Sequence, residues 1–156
     1  MPKIKPVKDF PLSAERIESL KAGILAAFSF TIAYGLLVIA NNFLLFKQFE
    51  VFAFLPSISV LELTSKVAIA FLSGFLFGIT YRYIIREDKN PHLKDGAVLA
   101  FGLVRGLAAI EVKQNLSEVV WLLSLLTIES IICFAIARSA LDFALQHHWL
   151  KPFRNL

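Results

Sequence analysis

The sequence predicts an all-α integral membrane bundle of four transmembrane helices with a short N-terminal amphipathic extension, and three observations carry that prediction. Between Lys21 and Lys47 lie 25 residues without a formal charge, more than the roughly 20 needed to cross a bilayer core. Three further apolar stretches follow, and together the four use most of a 156-residue chain. They leave no room for a separate soluble catalytic domain. With 57% apolar residues and a mean hydropathy of +0.68, residues 1–156 read as one membrane domain.

The first helix is expected over about 13–46. Ser13 suits the N-cap, with Leu12 and Ile17 placed as a hydrophobic staple, and Lys21 and Lys47 can snorkel at either end. Lys3, Lys5 and Lys8 look like a signal-peptide n-region. The apolar run behind them exceeds the roughly 7–15 residues of an h-region and shows no small-residue cleavage site, so the helix is expected to remain as an anchor. Asp9, Glu15 and Glu18 argue against a transit peptide. Residues 48–58, broken by Pro56, read as an interfacial connection.

The second helix is expected over about 59–86. It opens with Ser59 and Glu62 at capping-box spacing, carries a Glu62–Lys66 pair one turn apart, and ends with Tyr81, Arg82, Tyr83 and Arg86 in a headgroup region. The third is expected over about 91–113, with Asn90 as N-cap and Pro91 at the first helical position. Its apolar core, Gly96–Ile110, is only 15 residues and contains Arg105; at the helical rise it covers about 22 Å. A re-entrant segment is therefore the alternative to a full span. The fourth, over about 117–142, opens at Asn115–Glu118 and is interrupted by Glu129, with Arg138 and Asp142 marking its exit. Residues 143–156 form an amphipathic tail in which Trp149 suits the interface.

Positive charge sets the expected orientation. Five Lys/Arg precede the first apolar run, four (Arg82, Arg86, Lys89, Lys94) lie between the second and third, and three follow the fourth; two and one lie in the other connections. Both termini and the charged 2–3 loop are thus expected on the cytoplasmic, or stromal, side.

Within the apolar segments the deepest charges are Arg105 and Glu129. If the third and fourth helices are antiparallel neighbours, counting from the loop between them puts these residues within about 4.5 Å in depth. Each alone costs at least about 2.5–3.5 kcal/mol on insertion scales, and pairing offsets part of that. A proton or ion relay or a substrate contact is the functional reading, and a structural pair that fixes register is the other. Gly74-x-x-x-Gly78, extended by Ala70, and Gly102-x-x-x-Gly106 make two small-residue faces. Such faces let backbones approach where lipid removes the hydrophobic drive for association. They suit packing between the second and third helices or docking onto another membrane protein. Asn41 and Asn42 suit the far interface.

Other chemistry is not indicated. The lone Cys133 excludes an intramolecular disulfide, and dispersed positive charge does not make a nucleic-acid stripe. His92, His147 and His148 all fall outside the apolar cores, and the adjacent pair lacks the spacing that puts two ligands on one helix face. No nucleotide, hydrolase or metalloprotease motif is present, so neither a metal nor a cofactor is expected.

The stretch Gly74–Ala108, GFLFGITYRYIIREDKNPHLKDGAVLAFGLVRGLA, is the most distinctive text in the chain. Its YRY, the following Arg, NP, LK and AFGLVRGLA elements resemble those of a small, uncharacterised four-helix membrane-protein family of cyanobacteria and plant chloroplasts. The resemblance covers about a fifth of the chain. It implies a photosynthetic host and a thylakoid or other plastid-type membrane, and no catalytic residues. The loop itself, with Arg82, Arg86, Asn90, Pro91 and Lys94, reads as a short docking surface on the cytoplasmic side. The expected function is therefore a non-enzymatic accessory or assembly factor contacting membrane lipids and other integral membrane proteins. The alternative is a small transporter or channel subunit using Arg105 and Glu129.

Overall fold

The computed structural model describes residues 12–48, 60–85, 91–108 and 116–151. These form four helices: α1 (Leu12–Gln48), α2 (Val60–Ile85), α3 (Pro91–Ala108) and α4 (Leu116–Gln146). Helix α1 packs on α2 and on α4, and α3 packs on α4, while α2 meets α3 and α4 over smaller areas. The start of α1, the end of α2, the start of α3 and the end of α4 share one end of the bundle, linked by side-chain bonds described below.

Small residues let these helices close. The inner face of α1 is Ser19, Ala22, Gly23, Ala26, Ala27, Phe30 and Ala33, all buried, at the three- and four-residue spacing of one helix stripe. Gly74 of α2 lies against it so closely that an added Cβ would stand 2.7–2.9 Å from Phe30, Ala26 and Ala27. Gly78 would meet the Ala22 carbonyl in the same way. Across the bundle, Gly102 and Gly106 of α3 lie against Ile131 and Thr127 of α4. The two glycine faces therefore do not pack on each other as expected, nor does the α2 face point outward. Each has a small-residue or β-branched partner elsewhere in the chain, and on α2 that partner is the alanine stripe of α1.

Above this contact layer sits an aromatic core with one phenylalanine from each helix. The Phe134 ring lies 4.5 Å from Phe30, 5.0 Å from Phe77 and 5.7 Å from Phe101 between centroids, tilted against the first two and edge-on to the third. These are ordinary aromatic separations. The outside is apolar too. Ile17, Leu20, Ile24, Phe28, Ile32, Leu36 and Ile39 form an exposed stripe along α1, a surface far larger than water-soluble chains leave open and one that lipid covers.

Three helical segments are long and apolar enough to cross a membrane: Ala14–Asn41, Val60–Ile85 and Leu123–Gln146. Helix α3, of 18 residues, is not among them, so of the four expected spans three meet the criterion. Helix α3 starts at Pro91 as the sequence implies; residues 109–113, the end of its expected span, lie outside the described residues. Helix α4 runs four residues past the expected Asp142, because Arg138 and Asp142 form a 3.7 Å pair across one helical turn rather than an exit. It ends in a Schellman motif. The Trp149 amide donates to the Ala144 carbonyl at 2.9 Å and the His148 amide to the Leu145 carbonyl at 3.2 Å. His148 holds the left-handed position at φ 59°. The reversal leaves Trp149 exposed and buries Leu150 against the bundle.

Candidate functional site

Polar chemistry gathers in two places, and the first is the end where the start of α1 meets the segment after α4. Arg82 is 2% exposed. Its guanidinium donates to the Ser19 hydroxyl at 2.6 Å, to the Glu15 carbonyl at 3.0 Å and, through Nε, to the Lys151 carbonyl at 2.9 Å. It also pairs with the Glu15 carboxylate. One side chain on α2 thus ties the first turns of α1 to the segment after α4. The Lys151 amide completes the tie by donating to Glu18. Arg82, read from the sequence as a headgroup-region residue, turns inward, because it lies one turn beyond Gly78 on the stripe that faces α1. Beside it, Asp142 accepts from the Tyr81 hydroxyl and from Lys94, each at 2.9 Å, and Arg138 pairs with Asp95. These contacts join α2, α3 and α4. Lys94 thereby ties α3 to α4. Arg86, Asn90 and the Ser59 cap lie outside the described residues, while the Glu62–Lys66 pair forms at 2.8 Å.

The second place is a cleft of about 560 Å³ toward the opposite end, among the apolar segments. Helix α1 contributes Tyr34, Val38 and Asn41, α2 contributes Ile69, α3 contributes Arg105, and α4 contributes Leu126, Glu129 and Ser130. The fold brings Arg105 and Glu129 to one cleft, yet among the described residues they do not form the expected ion pair. Arg105 donates instead to the Ser130 hydroxyl at 3.2 Å. Its guanidinium carbon lies 4.9 Å from the Phe30 ring centroid and 4.8 Å from that of Tyr34, within cation–π range. Arg105 is thus held between the Ser130 hydroxyl of α4 and two rings of α1, with Glu129 on the same cleft but not bonded to it. Its Nε–H is buried with no acceptor among the described residues, and Glu129 accepts no hydrogen bond among them.

Ala70, Gly74, Gly78, Gly102 and Gly106 all serve helix packing inside the chain. Cys133 is fully buried beside the aromatic core. Among the described residues no group of three or more His, Cys, Asp or Glu is arranged to hold a metal ion. Sequence reasoning missed the Arg82 tie and the alanine stripe of α1. A signal for both existed: Ala70, Gly74, Gly78 and Arg82 repeat every four residues, which sets Arg82 on the packed face.

Comparison with protein-family models, with curated proteins and with solved structures returns no match. The fold and its apolar exterior define an all-α, multi-pass membrane protein.

Proposed function

We propose that this chain is a non-enzymatic membrane protein that works by binding, with the intramembrane cleft as its binding site, in the manner of a small transporter or channel subunit. One observation carries the reading: Arg105 and Glu129 line a common cleft in the apolar part of the bundle without closing on each other. A purely structural pair repays its insertion cost by mutual contact. Here, among the described residues, Glu129 accepts no hydrogen bond and Arg105 makes one, to a neutral hydroxyl, while both line the cleft. Helix α3 acts as the fourth span, since 18 residues extend about 27 Å against a hydrocarbon core of roughly 30 Å. The tied end, which carries most of the Lys and Arg, lies on the cytoplasmic or stromal side by the positive-inside rule. The resemblance of Gly74–Ala108 to a cyanobacterial and chloroplast family favours a thylakoid-type membrane.

Cysteine accessibility tests the reading. In a Cys133→Ala background, Leu126→Cys and Asn41→Cys should react with a charged methanethiosulfonate in native membranes, because the reagent attacks thiolates in contact with water. Ile32→Cys, on the lipid-facing stripe, should not. Equal silence at all three positions would mean a closed, dry cleft and would defeat the proposal.

A second reading, an accessory factor docked on another membrane protein, draws on α2. All ten residues from Val60 to Ile69 are exposed, the large apolar side chains of Val60, Leu61, Leu63, Val67 and Ile69 among them. A photo-crosslinker at Leu61 that captures a discrete membrane protein supports it; capture of lipid alone removes it.

A further inference from the structure

We propose that the cleft ligand is a zwitterion, with its anionic group on Arg105 and its ammonium group on Glu129. The inference rests on the binding reading above and goes on to name the ligand's chemistry. A guanidinium carries five N–H donors, and among the described residues Arg105 uses one, on a neutral hydroxyl. The Phe30 and Tyr34 rings hold its face, so further hydrogen bonds leave from its edge, the geometry in which a carboxylate or phosphate is recognised. Among the described residues, Glu129 is an acceptor without a donor on the same cleft.

A simple anion would satisfy Arg105 and be repelled by Glu129. A simple cation would do the reverse. A molecule bearing both charges satisfies both groups and removes the penalty of holding two unpaired ions in low dielectric. Val38, Ile69 and Leu126 supply an apolar wall for the rest of it, and about 560 Å³ falls in the range of small-molecule sites. Two sources offer this chemistry: the headgroup of an ethanolamine phospholipid, and a free amino acid with an apolar side chain.

The test uses the full chain in nanodiscs. Native mass spectrometry compares retention of phosphatidylethanolamine and phosphatidylglycerol of equal acyl chains, and a separate assay measures binding of radiolabelled leucine. The zwitterion proposal expects either about tenfold preference for the ethanolamine lipid or saturable leucine binding, the size expected of one charge-assisted hydrogen bond. The first outcome assigns a headgroup, the second a solute. E129Q should cut the lipid preference to under about twofold, or weaken leucine about tenfold, while thermal unfolding stays that of the parent; R105Q should abolish retention. Equal retention of both phospholipids with no leucine bound, or a preference that survives E129Q, overturns the zwitterion and leaves the cleft reading standing. No retention of any probe by a folded protein counts against both.

Discussion

Replacing Arg82 by Met tests the tie that joins the first turns of α1 to the segment after α4. Met keeps the apolar stem of the side chain and removes every donor. The Glu15 carboxylate, the Glu15 and Lys151 carbonyls and the Ser19 hydroxyl then lose their shared partner. Removing one member of a buried ion pair costs about 3–5 kcal/mol. The Glu15 side chain keeps 23% of its surface exposed, so water recovers part of the loss, and about 3 kcal/mol is the figure expected for R82M. R82K should fall between, since one ammonium has three donors and cannot span the same acceptors as a planar fork. The assay is equilibrium unfolding in mixed micelles, run as a double-mutant cycle with Glu15→Gln. Coupling of about 1–3 kcal/mol between the two sites is the expected result. Labelling of Leu150→Cys in a Cys133→Ala background adds a local readout, because the buried position should open when Lys151 loses its anchor. An R82M protein within about 0.5 kcal/mol of the parent, with no coupling to Glu15, would refute the reasoning.

Three further outcomes are expected. Gly78→Ile should destabilise the isolated monomer, because its Cβ meets the α1 backbone at Ala22, whereas Gly35→Ala, with nothing within 4 Å, should be neutral or stabilise by up to about 1 kcal/mol through helix propensity; thermal unfolding in detergent compares them. Arg105→Leu should cost more than Glu129→Gln, and a cycle between Arg105→Leu and Glu129→Leu should show coupling of only about 1 kcal/mol, the through-space attraction of two charges that do not bond; coupling of about 3 kcal/mol or more in unfolding would restore the ion pair. His148→Gly should stabilise by about 0.5–1 kcal/mol, because glycine takes the left-handed C′ position without a Cβ penalty; a lower melting temperature would place the value of His148 in its side chain.

Element placement was legible in the sequence because apolar runs and their caps are local. Pro91 at the start of α3 and the Glu62–Lys66 turn needed nothing but neighbours in the chain. Partnership was less legible. Arg82 reads as an interfacial residue beside Tyr81 and Tyr83, and only the tertiary fold supplies Glu15, Ser19 and Lys151, which lie 63 to 69 residues away. The glycine motifs announce close packing but not the helix packed against; that choice depended on the Ala22–Ala26–Ala33 face of α1. Depth counting put Arg105 and Glu129 at one level, and both line one cleft. Depth carries no azimuth, though, and the rotation of α3 sends Arg105 to Ser130 and two aromatic rings instead.

The account turns on a bundle that crosses the membrane with its tied end on one side. Single cysteines at His92 and His147, near that end, and at Val60, at the start of α2, place it directly when sealed vesicles are treated with an impermeant maleimide in the Cys133→Ala background. The account predicts that positions 92 and 147 label from the same side and position 60 from the other. Labelling of 92 and 147 from opposite sides, or of all three from one, would contradict it.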